Sequence, residues 1–208
     1  MNDHNLVYII DDDAAVRDGL TMLLEASGHA VAAFRSAGEF LDACTPDWRG
    51  CIILDVDMPG MDGTALQEEL PRRMVRLPVI FLSGKGTIPL TVRAIKAGAV
   101  DFLTKPVDRK VLLDRVQKAL QRGEAFNSIA LRLAELTERE REVMKLAVAG
   151  HTNKEIGQRL GISYRTVEIH RTHVMQKTGA TNLLELARIA DTFESHQMPR
   201  QTDRPHTY

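Results

Sequence analysis

The sequence predicts a doubly wound α/β domain on a five-stranded parallel sheet, followed by a small all-α domain of four helices containing a helix-turn-helix. Three observations carry this reading. From residue 6 to about 120, short apolar runs alternate five times with amphipathic patterns, and such alternation buries itself best as a parallel sheet covered on both faces. Beyond Gly123 the alternation stops and every pattern is helical. At 208 residues the chain suits two compact modules joined by a linker.

The strands are expected at residues 6–10, 30–34, 51–54, 79–82 and 100–103, each a short apolar run. The intervening helices are expected at 14–26, stopped by Gly28, and at 37–44, opened by Ser36 with Glu39 three residues on. Three more follow at 64–70, stopped by Pro71, at 89–97, stopped by Gly98, and at 108–122, stopped by Gly123. Residues 123–133 read as a partly helical linker. The helical module runs from 134 to 195, with helices at 138–149 (Thr137 and Glu140 forming a capping box), 153–160 (Thr152 with Glu155), 164–178 (after Ser163) and 182–193 (after Thr181). Residues 196–208 hold two prolines and no apolar period, and are expected to form a disordered tail.

Composition narrows the function classes. Lys and Arg number 27 against 28 Asp and Glu, a net charge of -1, which excludes a polybasic coat for nucleic acid but leaves room for a local basic face. With 44% hydrophobic residues the chain can build cores. Two cysteines are too few for a disulfide framework, and no apolar run reaches the ~20 residues of a membrane helix. The start, MNDHNLVYIIDDD, has no basic segment before its apolar run, unlike a secretory signal. A cytoplasmic protein without a membrane partner is therefore expected.

Chemistry gathers where the strands end. The first hands over to Asp11, Asp12 and Asp13, and the third to Asp55, with Asp57 two residues on. In a parallel sheet these carboxylates converge, and their mutual repulsion calls for a cation. A few hard oxygen ligands leaving room for water and phosphate suit Mg2+. Ser83 follows the fourth strand within FLSGKG, and Lys105 the fifth within LTKP. A carboxylate, a hydroxyl, an ammonium and a divalent cation are the groups that phosphoryl transfer uses.

IIDDD, ILDVDMPGMDG, FLSGKG and DFLTKP occur in the order found in response-regulator receiver domains of bacterial two-component signalling, which residues 5–122 resemble throughout. The resemblance implies a flavodoxin-like fold in which Asp55 takes a phosphoryl group from a sensor histidine kinase. Asp12 would bind Mg2+ directly, Asp11 chiefly through water, and Asp57 through its main-chain carbonyl. Ser83 would be the switch hydroxyl, Phe102 the aromatic that moves with it, and Lys105 the partner of a phosphate oxygen. It also implies a cis Lys105–Pro106 bond, with a trans turn as the alternative. Asp57 and Lys85 are expected at the mouth of the pocket, where an ion pair would shield the acyl phosphate from water. LDVD also fits the nucleophile motif of haloacid-dehalogenase-like phosphatases, but those place their metal acids after the nucleophile, and no cap domain fits here.

In the helical module, between Asn153 and Lys177, Lys154, Arg159, Arg165, Arg171 and Lys177 face only Glu155 and Glu168, so the third helix has a mildly basic polar side. His170 and His173 lack partners at metal-binding spacing. LTEREREV, NKEIGQRL and RTVEIHR resemble the LuxR-type helix-turn-helix, and their union with a receiver is similar to the FixJ and NarL group of transcription regulators. The resemblance implies that residues 164–178 enter the major groove, with Glu168, Ile169 and Thr172 as base readers and Lys154, Arg165, Thr166, Arg171 and Lys177 on phosphates. It further implies promoter DNA with inverted half-sites, RNA polymerase as a partner, and a homodimer on activation. The dimer surface is expected over residues 88–102, with Arg93 and Lys96 facing Asp101 of a second copy; release of the recognition helix from an inhibitory contact with the receiver is equally open as the switch. Such a protein assists its own phosphorylation but is not a turnover enzyme. Control of RNA or of another protein through the helical module is the remaining alternative.

Overall fold

In a computed structural model, residues 6–84 and 88–195 are described. Lys85 and the tail at 196–208 lie outside them, and so does the pairing expected of Asp57 with Lys85. The strands β1 (Leu6–Ile10), β2 (Ala30–Phe34), β3 (Cys51–Asp55), β4 (Val79–Ser83) and β5 (Asp101–Thr104) form one parallel sheet in the order β2-β1-β3-β4-β5. Three strands reach one residue further than their apolar runs, so Asp55, Ser83 and Thr104 are the last residues of β3, β4 and β5.

All five residues of β3 and of β4 are buried, which explains their unbroken apolar runs: strands covered on both faces have no side to leave polar. Alternate side chains serve different layers. Val7, Ile9, Ile53, Ile80 and Leu82 pack with Leu20 and Leu24 of α1 (Ala14–Glu25) and with Leu112 and Val116 of α5 (Arg109–Ala134). Tyr8, Ile10, Ile52, Leu54 and Phe81 pack with Phe40 of α2 (Ala37–Ala43), Leu66 and Leu70 of α3 (Gly63–Arg72) and Ala94 of α4 (Ile88–Lys96). At one end of that layer Trp48 stacks on Tyr8, rings 4.5 Å apart, with Phe40 edge-on to both.

Two expected stops are absent. Pro71 lies inside α3, which continues to Arg72. Proline in a last turn removes a single N–H, and the Arg73 N–H closes the turn on the Glu69 and Leu70 carbonyls. Gly123 lies inside α5, which continues across residues 123–133 to Ala134. A Cβ on Gly123 would come 3.3 Å from the Gly50 carbonyl and 3.4 Å from the Pro78 ring. The glycine admits the helix to a tight contact rather than ending it.

The chain divides into two compact units after Glu124. In the second, α6 (Glu138–Val148), α7 (Asn153–Leu160), α8 (Tyr164–Thr178) and α9 (Leu183–Ser195) follow the last turns of α5. Both expected capping boxes form, Thr137 with Glu140 and Thr152 with Glu155. Val143, Ala147, Ile156 and Val167 close one small core; Leu133, Leu136, Met144, Val174 and Leu186 close another. The α7–α8 turn rests on Gly161 at φ 66°, and on Gly157, where a Cβ would meet the Ile162 carbonyl at 2.7 Å.

Candidate functional site

The strand order reverses between β1 and β3, and that crevice lies at the carboxyl ends of the strands. Asp11 follows β1 and is buried; Asp55 ends β3 and is 4% exposed; Asp12 is exposed. One carboxylate oxygen from each of the three lies within 4.8 Å of the other two. The Lys105 ammonium, brought in after β5, donates to Asp11 Oδ2 at 2.6 Å and to Asp55 Oδ1 at 2.7 Å. The Lys105–Pro106 bond is cis.

Burial pushes the Asp55 carboxyl above its ordinary pKa and the Asp11 charge adds to the rise; the Lys105 ammonium and the Asp57 N–H pull back without cancelling it. Burial works against the Lys105 ammonium, but its bonds to Asp11 and Asp55 win and hold its pKa above the ordinary value. The three carboxylates form a hard-oxygen cluster suited to a divalent cation.

The other expected pocket residues stand around this pair. Ser83 is fully buried at the end of β4, and its hydroxyl donates to Asp57 Oδ2 at 3.5 Å. The Asp57 side chain is exposed. Phe102, half-buried on β5, lies 6.0 Å from the Phe81 ring. Asp13 accepts from the Ala15 and Val16 N–H groups at the start of α1, and its own N–H donates to Asp11 Oδ1 at 3.0 Å.

Two residues that pattern reading passed over complete the pocket. Arg17 of α1 donates from Nη1 to the Asp11 carbonyl at 2.8 Å, tying the acidic turn to its helix. Gly63 opens α3 under the acceptor, where a Cβ would come 2.2 Å from the Asp55 carbonyl. The MPGMDG wording contained that signal, but only the three-dimensional approach shows what the glycine is for.

On the second unit, Arg165, Glu168, Ile169, Thr172 and His173 line a shallow depression of about 360 Å³ along the outer side of α8. Ile169 is 48% exposed. Lys154 is exposed on α7. The Thr166 hydroxyl pairs with Ser163 Oγ at 2.8 Å at the start of α8. Arg171 and Lys177 are engaged within the unit: Arg171 donates to Asn153 Oδ1 at 2.8 Å, and Lys177 to Glu140 Oε2 at 2.7 Å and to the Glu135 carbonyl at 3.2 Å. Glu140 is a buried acid that sequence reading treated only as a helix cap. Burial alone would raise its carboxyl pKa, but the Lys177 ammonium and the Thr137 N–H and hydroxyl bring it down to about 2.

The surface expected to join two copies carries Ile88, Val92 and Ile95 of α4 as exposed apolar residues. Asp101 already has a partner within the chain, Arg115 Nε at 2.6 Å from Oδ2. Among the described residues no helix is long and apolar enough to cross a membrane.

Comparison with known proteins identifies both domains. Residues 7–117 match the response regulator receiver domain, and residues 134–190 match the bacterial regulatory proteins of the luxR family. The chain is 46% identical over 191 residues to the transcriptional regulatory protein FixJ of Azorhizobium caulinodans, covering 88% of this chain and 90% of that protein. It is 42% identical over 195 residues to nodulation protein W of Bradyrhizobium diazoefficiens, covering 90% and 86%. The crystal structure of full-length FixJ from B. japonicum matches with a TM-score of 0.55 at 41% identity, covering 92% of this chain and 98% of that one. With a receiver that gathers Asp11, Asp12 and Asp55 into a phosphorylation pocket and a helix-turn-helix behind it, the chain belongs to the two-component response regulators that carry a LuxR-type DNA-binding domain.

Proposed function

We propose that this protein is a transcription regulator whose promoter binding depends on phosphorylation of Asp55 by a sensor histidine kinase. The observation that carries the reading is the Lys105 ammonium lying between Asp11 and Asp55 at the carboxyl ends of the strands. Residues 1–122 would form the phosphoacceptor module and residues 134–195 the DNA-binding module, joined across 123–133. The reading places the protein in the cytoplasm.

The Asp55 carboxylate would attack the phosphorus of a phosphohistidine as the P–N bond breaks. Mg2+, held by Asp12, Asp55 and the Asp57 carbonyl, with Asp11 acting chiefly through water, would neutralise charge on the transferring group. Lys105 would hold one phosphate oxygen. Ser83 would leave Asp57 to donate to another, and Phe102 would turn into the space vacated. Those shifts change the face bearing Ile88, Val92 and Ile95, on which two copies would join.

Glu168, Ile169 and Thr172 would then read base edges, and Lys154, Arg165, Thr166, Arg171 and Lys177 would set position on phosphates of promoter DNA with inverted half-sites. RNA polymerase would be engaged on that DNA. The intrachain bonds of Arg171 and Lys177 suit them to bridging between the domain's own framework and the DNA backbone.

With a small-molecule phosphodonor and Mg2+, the wild type should gain mass by one phosphoryl group, dimerise and bind promoter DNA more tightly. Asp55→Asn should do none of these. Equal donor-dependent binding by that variant overturns the reading.

A further inference from the structure

Every polar atom of Asp11 is engaged within the chain. Its N–H donates to the Phe34 carbonyl at 3.2 Å, and its carboxylate accepts from the Asp13 N–H at 3.0 Å and from Lys105 Nζ at 2.6 Å. Its carbonyl accepts from Arg17 Nη1 at 2.8 Å. Arg17 is the fourth residue of α1, and a helical side chain leans toward the start of its helix, so the guanidinium reaches back over the turn that Asp13 caps. The guanidinium thus sits on a neutral oxygen instead of taking a carboxylate from the acidic cluster.

The Asp11 carbonyl and the Asp12 N–H belong to one planar peptide. A donor fixed to that carbonyl therefore sets the direction in which Asp12 leaves β1. With it goes the place of the exposed Asp12 carboxylate relative to those of Asp11 and Asp55, one oxygen of each lying within 4.8 Å of the other two. We propose that Arg17 is a positioning residue for the metal step of phosphoryl acceptance: by holding the Asp11–Asp12 peptide it presents Asp12 to Mg2+ and raises the affinity of the pocket for the ion. The proposal rests on the reading of that pocket as a phosphorylation site. A ligand ordered before the ion arrives loses less entropy on binding it.

Two effects of Arg17 on the ion have opposite signs. Its charge, held at every ordinary pH, repels a divalent cation nearby, so removal of the charge alone would tighten Mg2+ binding. Its bond to the carbonyl keeps the acidic turn in the shape that receives the ion, so removal of the bond weakens Mg2+ binding. A merely structural arginine would lower the stability of the first unit and leave Mg2+ affinity where it was, or raise it. The direction of the change in affinity therefore separates the roles.

The test measures the Mg2+ affinity of the full chain by titration calorimetry, without phosphodonor. Arg17→Met, a long side chain without a donor, should bind Mg2+ about tenfold more weakly than wild type, the low end for a group that orients a metal ligand. Arg17→Lys, which keeps the charge and offers a shorter donor, should fall between the two. With a small-molecule phosphodonor, the Mg2+ concentration giving half the maximal phosphorylation rate should rise by the same factor. Affinity equal to or tighter than wild type in Arg17→Met overturns the proposal, whatever the melting temperature of the variant. If Arg17→Met does not fold, Arg17→Lys decides, and wild-type affinity in that variant overturns the proposal. Asp12→Asn tells the two levels apart. If it binds Mg2+ as wild type does, or if wild type binds none, the reading of the pocket itself fails; if it loses the ion while Arg17→Met keeps it, only the role of Arg17 fails.

Discussion

At the residue scale, Asp55 shows how burial and function pull against each other. Its carboxyl sits above the ordinary pKa because it is buried beside Asp11, so the folded protein holds that proton more tightly than the unfolded chain does. The sign follows: protonation favours folding, and this contribution is lost as pH rises through the raised folded pKa. Asp55→Asn should therefore melt above wild type at pH 7, with the gap closing toward pH 4, as thermal melts at both values would show. Gly63 makes a second case. A Cβ there would meet the Asp55 carbonyl at 2.2 Å, so Gly63→Ala should cost about 1–3 kcal/mol by chemical denaturation and slow phosphorylation, because the acceptor's own backbone must move. The strand-end residues Asp11, Asp55, Ser83 and Lys105 were legible in the sequence because each stands at or just beyond the end of a short apolar run that reads as a strand. Arg17 and Glu140 were not, since an arginine in a first helical turn and a glutamate in a capping box have ordinary local explanations; their partners are carbonyls and ammonium groups distant in pattern.

At the scale of elements, boundaries set by local chemistry agreed with pattern and boundaries set by contacts did not. Thr137, Thr152 and Ser163 open their helices as their side chains demand. Pro71 and Gly123 looked like stops, yet one falls where a single N–H is dispensable and the other where the helix must approach Gly50 and Pro78. The bond of α6 to α8 through Glu140 and Lys177 gives a prediction at this scale. Glu140 titrates at about 2 when folded, so its contribution is complete above its ordinary value near 4.5 and is lost as pH falls toward 2. Glu140→Gln should destabilise the second unit by about 1.5–3 kcal/mol at pH 7, the range for a hydrogen bond to a charged group. Circular dichroism melts at pH 7 and pH 3 would show the difference shrinking in acid.

At the scale of the whole molecule, near-neutral charge sets how the parts must cooperate. A net charge of -1 supplies little general attraction to DNA, so one copy with a few phosphate contacts should bind weakly and two copies on paired half-sites should bind well. The exposed Ile88, Val92 and Ile95 on α4 are the apolar surface proposed for that pairing. Ile88→Asp with Ile95→Asp should leave phosphorylation intact while the mass in solution stays that of one chain, and promoter affinity should fall at least tenfold. A double variant that still dimerises with phosphodonor would place the interface elsewhere.

The packing of Trp48 on Tyr8 has an optical consequence. Trp48 is the single tryptophan of the chain, and it sits against the aromatic layer of the first unit. Its emission therefore follows the unfolding of the phosphoacceptor half alone, whereas the far-ultraviolet signal sums the helices of both. Recorded side by side, the two signals report whether the halves melt as one body or in succession, with no label added to the protein.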